Sequence, residues 1–225
     1  MGAQDDNYGY AEIKVDNANI MAVPRKDAYF DSQLVAAGVH SSQLDFFRDT
    51  SAFTVTADAG YGSKIQGRDT NILSRLGTAT KGEKFWIFGA NMKVTRAGAT
   101  PRTMNSSVGL TFPDEFRACQ DVGYFEWSFA AGAQIFLRRP LRDLPVQIPK
   151  PVAFSLSAAA TNVLYDMNTP GMLDLRINQR PYALVQQEEM VISLKWQSTD
   201  ALPTLTTATI YQVHLLGIRV FGQKS

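Results

Sequence analysis

Residues 84–96, KFWIFGANMKVTR, form the longest apolar-rich stretch of the chain with a strand-like period. Taken two by two, Trp86, Phe88, Ala90, Met92 and Val94 fall on one face. The other begins with Phe85 and Ile87 and turns polar at Asn91, Lys93 and Thr95. A period of two with aromatic and β-branched side chains predicts a strand, buried on both sides at its start, and Gly82 supplies the turn that precedes it.

The same signature recurs on both sides of this stretch. Phe53, Val55 and Ala57 alternate with Thr54, Thr56 and Asp58, and GYGSKIQGRDTN then has turn chemistry. Residues 108–112 predict a short strand, and Asp114 to Asp121, after Pro113, about two turns of helix. Phe125, Trp127 and Phe129 lead through AGAQ into residues 135–138, a hairpin pattern. Pro140, Pro145, Pro149 and Pro151 are spaced too closely for a helix or a central strand, which makes residues 140–151 a crossing between sheets or subdomains. Val152, Phe154 and Leu156 alternate with small residues, as do Leu173, Leu175 and Ile177 with polar ones. Met190, Ile192, Leu194 and Trp196 give the cleanest alternation, and residues 206–221 form a last long strand with a bulge at Gly217. Regular strands without a βαβ pattern predict an all-β sandwich or jelly roll.

Residues 1–50 read differently. MGAQDDNYGY is polar, AEIKVD suits one short strand, Pro24 interrupts, and Ser32 to His40 and Ser41 to Arg48 carry helix-like or irregular apolar residues, Leu34, Val35, Val39, Leu44, Phe46 and Phe47, without a clear period. The expected organisation is an N-terminal arm over 1–50 and a body over 51–225, with the arm packing on a neighbour or folding back as a lid.

Composition narrows the function classes. The chain has 225 residues, 45% hydrophobic and 19% charged, enough for one large β domain. Lys+Arg number 22 against Asp+Glu 21, for a net charge of +1, and the charges are scattered; a basic nucleic-acid-binding tail is not expected. Cys119 has no partner for an intrachain disulfide and reads as a small apolar residue. There is no apolar run of about 18 residues to span a bilayer and no signal-peptide pattern, and Asp6 stands where a myristoylation motif wants Ser or Thr. A cytosolic site of synthesis is the expectation.

No reactive constellation stands out in the sequence. His40 and His214 have no ligand-spaced companion, so no zinc or facial-triad site is predicted. Gly62-Ser63-Lys64 breaks the order a Walker loop needs, and no Gly-x-Ser-x-Gly elbow is present. The pairs Asp5-Asp6, Asp114-Glu115 and Glu188-Glu189 are sequence neighbours that point apart on a strand. Carboxylates distant in sequence and close in space, as in glycosidases, stay open. Arg138, Arg139 and Arg142 are the densest basic group, read as solvated hairpin-end residues or as a contact for an anionic partner or a neighbour's carboxylates. Asn105-Ser106-Ser107 matches a glycosylation acceptor by chance. No catalytic, cofactor-binding or metal-ligating residue and no cofactor is predicted; the protein is not expected to be an enzyme.

In patches over residues 44–225, the chain resembles the major capsid proteins of small tailless icosahedral viruses of bacteria, in the vertical jelly-roll group. The stretches are LDFFRDT; RDTNILSRLGTATKGEKFWIFGANMKV; GYFEWSF with IFLRRPLRDLPVQIP; LRINQRPYALVQQEEMVISLKW; and YQVHLLGIRVFGQKS. The resemblance implies a self-assembling coat subunit of an icosahedral shell. Its partners would be further copies in a trimer or hexamer-like capsomer, other capsid proteins and an underlying internal membrane. It would be found in the virion after synthesis in host cytoplasm. The roughly ten to twelve strands counted favour a single jelly roll with an arm over a compact double jelly roll. The alternative is a carbohydrate-binding or glycan-hydrolysing β-sandwich, with Trp86, Trp127 or Trp196 stacking on sugar rings.

Overall fold

The structure, a computed structural model, describes residues 11–15, 18–22, 25–38, 42–48, 53, 63–72, 83–96, 119–129, 134–147, 150–156, 161–166, 171–176, 182–184, 190–196 and 208–221. Among these residues, fourteen strands run in chain order: β1 (Ala11–Val15), β2 (Ala18–Ala22), β3 (Arg25–Val35), β4 (Gln43–Phe46), β5 (Glu83–Arg96), β6 (Gly123–Phe129), β7 (Gln134–Pro140), β8 (Val146–Gln147), β9 (Lys150–Leu156), β10 (Thr161–Asp166), β11 (Leu173–Asp174), β12 (Tyr182–Leu184), β13 (Met190–Trp196) and β14 (Thr209–Phe221). Residues 119–122 are helical, and Leu141–Asp143 make a single 3-10 turn.

Two sheets pack around one core, so the fold is an all-β sandwich. One has the order β11-β5-β14-β3, with β12 and β8 also paired to β5; the other has the order β4-β13-β6-β7. Among the described residues, all ladders are antiparallel except the short parallel pairing of β8 with β5. The chain passes back and forth between the sheets. β3, β5, β8, β11, β12 and β14 belong to the first, while β4, β6, β7 and β13 belong to the second. The proline-rich crossing carries the chain from β7 in one sheet to β8 in the other, and Met92 N donates to Pro145 O at 2.9 Å where it lands. The hairpins β1-β2 and β9-β10 each pair internally.

The core follows from the period of two. Met190, Ile192, Leu194 and Trp196 of β13 face Tyr211, Val213 and Leu215 of β14, with Phe125, Trp127, Leu44 and Phe46 in the same buried cluster. The rings of Trp196 and Tyr211 meet across the sheets at 6.4 Å, and Trp196 Nε1 donates to the carbonyl of Cys119 at 2.9 Å.

The alternation expected for residues 84–96 holds for only part of β5. Leu216 pairs with Gly89 but Gly217 pairs with Ile87, which leaves Phe88 as the extra residue of a β-bulge. The phase therefore flips. Phe85 and Ile87 point inward before the bulge and Ala90, Met92 and Val94 after it, while Trp86 and Phe88 are half-buried on the other face. The bulge does fall at Gly217, as the sequence suggested, but its extra residue lies on the opposing strand.

The division at residue 50 is also corrected for part of its length. Residues 25–48, expected in an arm, supply β3 and β4 to the two sheets, and Leu34, Leu44, Phe46 and Phe47 are buried. The weak sequence period of β3 has a physical cause: over residues 31–35 both of its faces are buried, Asp31, Ser32 and Gln33 included. The strands expected over 53–57 and 108–112 lie outside the described residues apart from Phe53, which is not in a strand, and the helix expected over 114–121 is described only from Cys119.

Candidate functional site

Four sheet edges close the sandwich, and they are finished differently. At the edge of β3, residues 63–72 run alongside: Asp31 bridges to Thr70, Phe30 N donates to Asn71 Oδ1 at 2.8 Å, and Asn71 N donates to Phe30 O at 3.2 Å. The outer edge of β5 is covered piecewise by β12, β11 and β8. The edge strand β4 is only four residues long. β7, seven residues long, pairs with β6 alone among the described residues. A strand edge with unpaired backbone groups is a template for another chain unless something blocks it.

β7 has the side chains of a contact surface. Its register against β6 slips between Trp127 and Ser128, so Phe136 is an extra, bulged residue. The Phe136 ring packs 4.8 Å from Trp127 and 5.5 Å from Tyr182, yet the residue is 37% exposed, and the neighbouring Ile135 is 51% exposed. Arg138, Arg139 and Pro140 continue the exposed strand, and Arg142 is exposed on the turn that follows. An apolar pair thus lies beside cationic groups on a strand that is paired on one side only among the described residues.

The three arginines do not act as one group. Arg138 lies opposite Glu126 in the ladder and donates to Glu126 Oε2 through Nε at 3.0 Å and Nη2 at 2.6 Å, with its guanidinium 5.0 Å from the Tyr124 ring centre. Lys195 donates to the other oxygen of Glu126. The register places Asp45, Ser193, Glu126 and Arg138 in one row across β4, β13, β6 and β7, and Ser193 Oγ donates to Asp45 Oδ1 at 2.6 Å. Burial pushes the Glu126 carboxyl up, but the hydrogen bonds from Lys195 and Arg138, with their charges, outweigh it and hold the carboxyl below its ordinary value. This row ties the edge strand to its sheet.

A second ionic constellation is fully buried. Lys64 Nζ lies 2.9 Å from Asp31 Oδ1 and 3.0 Å from Oδ2, with both side chains at 0% exposure. Phe47 N donates to Asp31 Oδ2 at 2.8 Å. Burial pushes the Asp31 carboxyl above its ordinary value, against the opposing charge and hydrogen bond of Lys64 and the backbone donors of Phe47 and Ser32.

The remaining candidates from sequence have structural settings. His214 lies on β14 with its ring 5.5 Å from Phe30, and Gln212 Oε1 is 3.0 Å from its Nε2. Burial, then the charge of Lys93, depress its pKa to about 4. Cys119 is buried and is not in a disulfide. Trp127 and Trp196 lie in the core, and Trp86 is half-buried. His40, Asn105 and the acidic pairs at 5–6, 114–115 and 188–189 lie outside the described residues. Among the described residues, no group of three or more His, Cys, Asp or Glu is placed to hold a metal ion, and no helix is long and apolar enough to cross a membrane.

Asp31, Lys64, Asp45 and Glu126 were not singled out by sequence. Asp31 and Lys64 are 33 positions apart and Lys195 is 69 from Glu126, so only the fold brings them together. Glu126 carried a partial signal, as the one acidic residue in GYFEWSF. Compared with known proteins, the chain matches no family model, no curated protein and no solved structure.

Proposed function

We propose that the protein is a coat subunit of a virus of bacteria, a single jelly roll whose function is self-association into an icosahedral shell. The observation that supports it best is the strand order. β14 returns between β3 and β5 while β13 returns between β4 and β6, and β11 with β12 closes one sheet as β7 closes the other. Strands that return between earlier ones in both sheets are what the interleaved keys of a jelly roll would give, and this supports the reading. Because that fold hosts many functions, the reading also leans on the family resemblance and on the β7 edge, unpaired on one side among the described residues, with Ile135 and Phe136 outward.

In this reading the partners are further copies in a trimer or hexamer-like capsomer, other coat proteins, and a membrane beneath the shell. The protein is made in host cytoplasm and resides in the virion. The contacts are repeated symmetric and quasi-symmetric ones, with no catalytic centre. Of the three tryptophans that a glycan-binding sandwich would use, Trp127 and Trp196 are inside the core and Trp86 is half-buried.

The test is light scattering and electron microscopy of the purified full-length chain, alone and with its source particle's other proteins. Discrete oligomers or shells are expected, and Ile135→Lys should reduce them while leaving the melting temperature within a few degrees. A protein that stays monomeric in every mixture and binds glycans would overturn the reading.

A further inference from the structure

We propose that Lys64 and Asp31 are the site of a self-formed isopeptide bond that joins the segment alongside β3 covalently to that strand. The geometry brings the amine and the carboxyl into direct contact. Nζ is nearly equidistant from the two carboxyl oxygens, at 2.9 and 3.0 Å. That places it close to the range of about 3–3.5 Å from Cγ at which reacting atoms are poised. Both side chains are wholly removed from solvent, and the Phe53 ring centre lies 5.9 Å from Nζ. Such a dry setting disfavours a separate charge on the carboxyl. Burial already pushes the Asp31 carboxyl toward the protonated form.

A third group completes the arrangement. Phe47 holds a φ of 68°, in the left-handed region that a bulky residue rarely adopts, and in that conformation its N–H donates to Asp31 Oδ2 at 2.8 Å. A fixed backbone N–H on a carboxyl oxygen is what stabilises the oxyanion of an acyl-transfer intermediate.

The step balances without any co-reactant. The Lys64 ammonium passes one proton to the Asp31 carboxylate. The carboxyl then turns its face to Nζ, whose lone pair forms the N–Cγ bond, and the oxyanion develops on the oxygen held by Phe47. A second proton moves from nitrogen to the hydroxyl oxygen, the Cγ–O bond breaks with its electron pair, and water leaves. The product is an amide with one hydrogen on nitrogen. It closes a covalent loop from residue 31 to residue 64 that contains β4, so β3, β4 and the edge segment can no longer separate fully on unfolding. The inference is independent of the coat reading.

The experiment is mass spectrometry of the full-length protein after incubation in the folded state. Intact mass should fall one water short of the sequence, about 18 Da. A tryptic digest should contain peptide 27–48 joined to 49–68, with no cleavage after Lys64. Lys64→Arg should restore the full mass for its sequence and separate the peptides. Should that variant not fold, the wild-type digest decides alone. Normal cleavage after Lys64, with peptides 27–48 and 49–64 found only separately, would overturn the proposal and leave an ion pair.

Discussion

Gly217 of β14 packs against Phe85 of β5 so closely that a Cβ at position 217 would lie 2.6 Å from Phe85 Cζ and 2.3 Å from the carbonyl oxygen of Trp86. The backbone oxygen cannot move without disturbing the longest ladder of the fold. Gly217→Ala should therefore destabilise the protein by about 1–3 kcal/mol, the range for overpacking a close contact. Urea denaturation should show a lower midpoint with little change in slope. An unchanged midpoint would mean that the bulge at Phe88 is not where the ladder shifts.

This contact also shows what the sequence left hidden. The glycine in LLGIRV marked an irregularity, and the alternation in residues 84–96 marked a strand, but a bulge adds its residue to one strand of a pair and only pairing reveals which. Taking the extra residue as absent from β5 reversed the faces of Trp86 and Phe88 and left those of Ala90, Met92 and Val94 correct. In the same way, β3 was hidden because its inward positions include Asp31 and Gln33. Gln33 donates to the carbonyl of Asp45 in the opposite sheet. A polar residue satisfied by a partner twelve positions away looks like a surface residue until the fold is known. The clean alternations at β13 and β6 were legible because both inner faces are apolar throughout.

Trp196→Ala should cost about 3–5 kcal/mol, the range for truncating a core aromatic. The residue is 6% exposed, packs near Tyr211 and donates to the Cys119 carbonyl. Trp196→Phe keeps most of the packing and loses the donor, so its cost should be smaller, about 1–3 kcal/mol for a buried carbonyl left without that bond. Chemical denaturation of the two variants separates packing from hydrogen bonding. An unchanged melting temperature in Trp196→Ala would place the ring outside the core.

His214 should make folding sensitive to mild acid. Its ordinary pKa of 6.5 applies to the unfolded chain, and burial with the Lys93 charge lowers the folded value to about 4. Gln212 Nε2 donates to Ser32 Oγ at 3.1 Å and to Arg68 O at 3.0 Å, so Gln212 Oε1 accepts from a neutral His214. A depressed pKa means that the unfolded chain binds the proton first. The contribution is complete above pH 6.5 and is lost as pH falls toward 4, by at most about 3 kcal/mol. Urea midpoints at pH 7.5 and 5 should differ in the wild type and differ less in His214→Gln. With two histidines in the chain, NMR titration can follow this one directly.

Glu126 should act in a lower window. Its carboxyl is held below the ordinary 4.5 in the folded protein, so its contribution is present above that value and is lost as pH falls through the folded pKa. Glu126→Gln keeps the shape but loses the charge facing Arg138 and Lys195. A cost of about 1–3 kcal/mol at pH 7 is expected, below that of a fully buried pair, because the Arg138 side chain is 54% exposed and can be resolvated. The difference between variant and wild type should shrink below pH 4 in thermal melts. Equal stability at pH 7 would show that the row through Ser193 does not hold β7 in place.

The N-terminal segment gives the sharpest separation of folding from assembly. β3 begins at Arg25, and its first six residues pair with β14 from Arg25 opposite Arg219 to Phe30 opposite His214. Phe30 also exchanges two hydrogen bonds with Asn71. Deleting residues 1–30 would remove that half of the strand and uncover the edge of β14, so insoluble or unfolded protein is expected. Deleting residues 1–24 removes β1 and β2, which pair with each other, and leaves both sheets whole. That variant should stay soluble with a melting temperature near wild type. If the coat reading holds, its oligomers or shells should be fewer or smaller by light scattering and electron microscopy. Loss of folding in the shorter deletion would make the first hairpin part of the core, and full assembly would remove it from the contacts between subunits.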